Sequence, residues 1–138
     1  MTRRSLSEGD VISYPYRWRR ELLLGTAIDG SKDRPCCLVL AFTTQDGEDV
    51  IYLAAISSKA PHPDRAAITV PDIERRRAGL TRYPEAWIYV DEVNRDVPAR
   101  SWYLEPQERM GAFSKSFLAR ISAELRQRRR DIKVIRRR

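Results

Sequence analysis

The stretch "RPCCLVLAFTTQDGEDVIYLAAIS", residues 34–57, constrains the fold more than any other part of the chain. Two runs of aliphatic, aromatic and β-branched residues flank Asp46-Gly47, and Asp-Gly supplies the positive φ that a tight hairpin turn demands. The pattern therefore predicts a long antiparallel hairpin with arms over 34–43 and 50–57. The first arm is apolar at nearly every position, which predicts burial on both faces. It carries the only cysteines, Cys36 and Cys37. Neighbours on a strand point to opposite faces, so the two are poorly placed to bridge each other. They read as small buried side chains in a reducing compartment.

Around the hairpin, "GDVISYPY" (9–16) reads as a first strand that ends near Pro15. "YRWRRE" reads as a basic and aromatic loop, "LLLGTAID" (22–29) as a strand with Gly25 at a bulge, and "GSKD" as a turn. After the hairpin, "SKAPHPD" breaks the pattern with two prolines. "AAITVP" reads as a short strand, and "DIERRRAGL" as one or two helical turns opened by Asp72 and closed by Gly79. "EAWIYVDEV" (85–93) reads as one further strand. In "SKSFLARISAELRQ", Phe117, Leu118, Ile121 and Leu125 form one helical stripe, with Ser114 as N-cap. Five or six short strands followed by one amphipathic helix predict a mainly β fold with a C-terminal helix, a small curved sheet or barrel. No repeat or linker divides the 138 residues, so a single domain is expected over 1–126, followed by a basic tail over 127–138.

The net charge of +7 belongs to the C-terminal stretch from Arg126 onward. From Arg126 to Arg138 there are eight basic residues and one acid, Asp131; the rest of the chain carries eighteen of each sign. The tail reads either as a solvated, frayed end or as a non-specific phosphate-binding arm. No apolar run reaches the length of a membrane span. The basic N-terminus has no apolar stretch behind it, so no signal peptide is expected and the location is expected to be cytoplasmic.

This order of elements resembles the MazF/PemK family of type II toxin–antitoxin toxins. Four stretches carry the likeness over 9–126: "GDVI" opening the first strand, "KDRPCCLVLAF" as the Arg-Pro strand, "LAAISSK" ending a strand in hydroxyl residues, and "WIYVDEVNRD" as a later strand ending in an acid. The resemblance implies an SH3-like barrel with a C-terminal helix, assembled as a homodimer. It implies a metal-independent endoribonuclease that cuts single-stranded RNA to arrest growth. The implied partner is a cognate antitoxin protein that blocks the cleft, and no cofactor is implied. No Cys/His metal spacing is present either.

Metal-free RNA cleavage uses the substrate's own 2′-hydroxyl as nucleophile. It needs a base for that hydroxyl, an acid for the leaving oxygen and a cation for the phosphorane. Arg34 suits the cation, because its planar fork grips phosphate bidentately and Pro35 and the strand hold it still. Its rival role is to end the strand and pair with Asp29 or Asp33. Ser57 and Ser58 fall where the family places hydroxyls near the scissile phosphate, and strand-end capping explains them as well. By the same likeness Asp91 matches the later acid, and Asp29 sits near an acid of some relatives; either is a candidate base. Some active relatives carry an arginine two residues before the later acid as general acid. Here Tyr89 stands there, with Asn94 and Arg95 just downstream.

"YPYRWRRE" supplies Arg17, Trp18, Arg19 and Arg20, rings and guanidinium groups suited to unpaired bases and phosphates. The alternative is a solvated loop with Trp18 tucked onto the barrel. Lys32, Ser58, Lys59 and Arg95 complete the candidate RNA contacts. The single histidine, His62, reads as a loop residue, and "IERRRAG" as an exposed helix face. Two rival readings stand beside the nuclease. One is a catalytically silent module that holds nucleic acid, RNA or DNA, which Tyr89 favours. The other is a protein-interaction barrel whose tail promotes solubility.

Overall fold

The computed structural model describes residues 6–25, 33–101 and 109–137. Among them the chain order is β1 (Asp10–Tyr14), α1 (Arg19–Leu24), β2 (Arg34–Thr43), β3 (Asp49–Ser57) and β4 (Ala67–Thr69). There follow α2 (Asp72–Arg77), β5 (Trp87–Tyr89), β6 (Glu92–Asp96), β7 (Arg109–Ala112), α3 (Lys115–Gln127) and β8 (Lys133–Arg136). Gly47 takes φ 83° at the tip of the β2–β3 hairpin, and the arms pair from Cys36↔Ala55 to Thr43↔Asp49. The sheet runs β4-β5-β3-β2-β1-β7, with β6 joined to β3 and β8. Neighbours are antiparallel except β6 and β8, which are parallel. β3 holds two partners on one side: Ile51–Leu53 pair with β6, and Ile56 and Ser57 with β5. Strand pairing does not close the sheet on itself among the described residues.

Period-2 alternation along β1–β3 makes two cores. One face carries Val11, Cys37, Ala54 and Ile56 against Ile88 of β5 and Phe117 and Ile121 of α3. The other carries Ile12, Tyr14, Cys36, Leu38 and Ala55, with Tyr16, Trp18 and Tyr89. The adjacent cysteines thus serve opposite cores, and each fully buried aliphatic side chain contributes about 1.5–3 kcal/mol. Ser114 caps α3 by accepting from the Phe117 N–H at 3.2 Å. The buried Glu74 of α2 accepts from the Ser114 N–H at 2.8 Å and its hydroxyl at 2.6 Å, tying the two helices together.

Four sequence expectations change. β2 is buried only as far as Val39, because the pairing shifts between Leu38 and Leu40; Leu40 and Phe42 beyond it are exposed. The strand expected over 22–29 is instead helical over its first three residues. The Glu21 carboxylate accepts from the Trp18 N–H at 3.1 Å to start α1. Gly25, at φ 68°, ends it as a left-handed cap rather than a bulge; Asp29 lies outside the described residues. The single strand over 85–93 divides at Val90–Asp91 into β5 and β6, which follow different partners. The basic tail over 127–138 contains β8, and Ile135 within it is buried.

Candidate functional site

The wall of the site begins where β1 runs out. Asn94 projects its buried carboxamide from β6 toward the chain at Arg17. Its Oδ1 accepts from the Arg17 N–H and its Nδ2 donates to the Arg17 carbonyl, both at 2.9 Å. The carboxamide thus stands in for a strand partner. Beside it, Glu92 accepts from the Tyr16 hydroxyl at 3.0 Å and the Arg19 N–H at 3.2 Å. Burial raises the Glu92 carboxyl above the usual carboxylate range despite these donors. So fixed, Trp18 packs edge-on to Tyr16 at 4.8 Å and to Tyr89 at 5.1 Å.

Three guanidinium groups surround that indole. Their centres lie 4.9 Å (Arg20), 5.6 Å (Arg34) and 5.8 Å (Arg65) from the ring centroid. Arg65 also sits 4.6 Å over the Tyr89 ring. Cations are drawn to aromatic faces, Trp most of all, so the ring offsets the repulsion of gathering three like charges. Arg65 is fixed by carboxylates. Its Nε and Nη2 donate to Asp91 at 2.8 and 2.9 Å, and Nη2 reaches Glu92 at 3.3 Å. Asp91 also accepts from the Ala66 N–H at 3.0 Å. Burial alone would raise the Asp91 carboxyl, but the Arg65 fork and the Ala66 N–H outweigh it and hold the group below the usual range. Arg34 has no such anchor: no ion pair holds it among the described residues.

In front of the indole opens a cleft of about 260 Å³ lined by Trp18, Arg20, Arg34, Ser57, Ser58, Lys59, Ala60, His62 and Tyr89. The Ser57 hydroxyl accepts from the Lys59 N–H at 3.0 Å and donates to the Lys59 carbonyl at 3.2 Å, shaping the rim. His62 Nδ1 meets the Asp64 carboxylate, which leaves the other face of the ring to solvent. The buried Trp18 indole N–H finds no acceptor among the described residues. Chemically the cleft offers cations, hydroxyl donors, an imidazole and a phenol, and among the described residues no carboxylate lines it. Among the described residues, no group of three His, Cys, Asp or Glu side chains is placed to hold a metal ion. Nor is any helix there long and apolar enough to cross a membrane.

Seven of the residues singled out in the sequence meet here: Arg34, Ser57, Tyr89, Trp18, Arg20, Ser58 and Lys59. Asp91 does not line the cleft and lies behind it as the anchor of Arg65. Arg17 and Arg19 contribute backbone groups to the wall rather than lining side chains. Arg95 lines a different cavity. Asp29 and Lys32 lie outside the described residues. Sequence reasoning missed Arg65 and set His62 aside. The signal for Arg65 was its place one residue before "AAIT", the strand that pairs with β5 and so brings it beside Asp91. A comparison with models of known protein families finds no match, and neither does a comparison with curated proteins.

Proposed function

We propose that this chain is a MazF/PemK-like toxin on an SH3-like fold, a metal-independent endoribonuclease that cuts single-stranded RNA and is held in check by an antitoxin protein. The convergence of Arg34, Ser57, Ser58, Lys59, Tyr89 and Trp18 on one cleft carries this reading. They come from four separate segments of the chain. Arg34 grips the scissile phosphate and stabilises charge on the phosphorane. Ser57, Ser58 and Lys59 donate to its oxygens, and Trp18 offers a stacking face to an unpaired base. Asp91, with both oxygens engaged, serves as the positioning residue for Arg65 rather than as the base. Proton transfer falls to His62, backed by Asp64, and to Tyr89, which lines the same cleft.

The silent binding module is the second reading, and one observation favours it: among the described residues no carboxylate lines the cleft. Expression of the chain without any partner, followed by mapping of RNA ends, separates the two. New ends carrying a 2′,3′-cyclic phosphate, formed equally in chelator, support the nuclease. Bound but intact RNA supports the silent module.

A further inference from the structure

A second cavity, of about 540 Å³, is lined by Arg95, Asp96, Val97, Arg100, Arg136 and Arg137. Strand β8 creates it. The parallel register sets Arg95 beside Arg136, and the Arg137 N–H donates to the Arg95 carbonyl at 2.7 Å. Like charges placed side by side on neighbouring strands repel and need a reason. No carboxylate pairs with Arg95 or Arg136 among the described residues. The one acid in the lining, Asp96, is buried and committed elsewhere. It accepts from the Tyr14 and Ser101 hydroxyls, each at 2.7 Å, and from the Val97 N–H at 2.8 Å. Arg100 meets Glu48 at 3.0 Å on the open side.

We infer that this cavity is a second phosphate-binding site, taking the backbone of single-stranded nucleic acid. Guanidinium forks match phosphate oxygens, and here they stand on hydrogen-bonded strands, which hold them ready for an anion. Both sites lie along one run of chain: Arg137 sits 5.8 Å over the Tyr14 ring, and Trp18 lines the cleft. Tyr14 and Trp18 are four residue steps apart, so their Cα atoms lie within about 14 Å of each other, a separation that a few nucleotides of single strand cover. The RNA substrate rests on the endoribonuclease reading; the anion chemistry does not.

The test measures binding of the full chain to short oligodeoxythymidylate, which lacks the 2′-hydroxyl and so is not cut, across a series of salt concentrations. Arg95→Gln with Arg136→Gln should reduce the slope of log affinity against log salt by about 1.4, two phosphate contacts at about 0.7 each. Arg130→Gln with Lys133→Gln, equal in charge but outside the lining, should leave the slope at the parent value. Equal losses from both pairs, or none from the first, would overturn the site. Should the first pair fail to fold, inorganic phosphate is titrated into the parent and the arginine side-chain NMR signals are followed. Shifts at Arg95 and Arg136 support the site, and their absence overturns it. A parent that binds but never cuts RNA sinks the nuclease reading alone; cutting with no slope loss sinks this inference alone.

Discussion

Two basic segments dock on strand β6 by opposite means. Residues 16–20 are held by side chains, with Asn94 bonding the Arg17 backbone on both sides and Glu92 bonding Tyr16 and Arg19. Residues 133–136 are held by the backbone ladder of β8. Both look alike in the sequence: each is basic, and neither shows an amphipathic pattern. The difference teaches that a run of charge says little about whether a segment is fixed; what matters is where its backbone groups find partners. A segment held by side chains can be released by one substitution, whereas a ladder yields only to loss of the strand.

The largest effect should come from removing that strand. A chain stopped before Lys133 loses the β6–β8 ladder and the buried Ile135 side chain, and should be destabilised by about 3–5 kcal/mol in urea unfolding. A loss below about 1 kcal/mol would return the segment to the status of a loose tail. Next is Asn94→Ala, which strands the Arg17 N–H and carbonyl. The expected cost is about 2–4 kcal/mol, with faster hydrogen exchange confined to 16–20. Uniform exchange changes along the whole chain would erase the contrast between the two docking modes. Arg65→Ala should cost about 1–3 kcal/mol, since it leaves Asp91 and Glu92 without their shared cation. Tryptophan fluorescence should also change as the cation leaves Trp18.

The smallest effect is one of pH. Asp91 is depressed when folded, so its contribution is present above its unfolded value of about 3.9 and disappears as pH falls through the lower folded value. Glu92 is raised when folded, so its ionised form opposes folding near neutrality. That penalty is relieved as pH falls through the raised value toward about 4.3. On mild acidification the Glu92 contribution should therefore rise before the Asp91 contribution falls. Comparing urea midpoints across pH, Glu92→Gln should lack the rise and keep the fall. A variant curve parallel to the parent's throughout would contradict the assignment.

The elements that could be read from the sequence were those with self-contained signals. Asp46-Gly47 between β-type runs, and Ser114 ahead of the Phe117–Ile121–Leu125 stripe, need no distant partner to be understood. Helix α1 was misread because three consecutive leucines suit a buried strand, while its start depends on Glu21 reaching back to a tryptophan N–H, an unusual cap. β8 was hidden because Val134 and Ile135 lie within a charge run and pair with a strand forty residues earlier. The site divides in the same way. Arg34 and Ser57 stand at the outer ends of the two hairpin arms, which the sequence pattern delimits, whereas Tyr89 was singled out only through the family resemblance. Arg65 and His62 stand on the connection after β3, and only tertiary pairing brings His62 to the cleft and Arg65 against the Trp18 and Tyr89 rings.

The central claim is that Arg34, which no ion pair holds among the described residues, stabilises the phosphorane of RNA cleavage from the mouth of a cation-lined cleft. Its most direct test is single-turnover cleavage of single-stranded RNA by the parent, Arg34→Ala and Arg34→Lys, with melting curves to establish folding. The account predicts that both variants fold and lose about 10²–10³ in rate, lysine faring little better than alanine because the planar fork is gone. Cleavage by folded Arg34→Ala at the parent rate would contradict it.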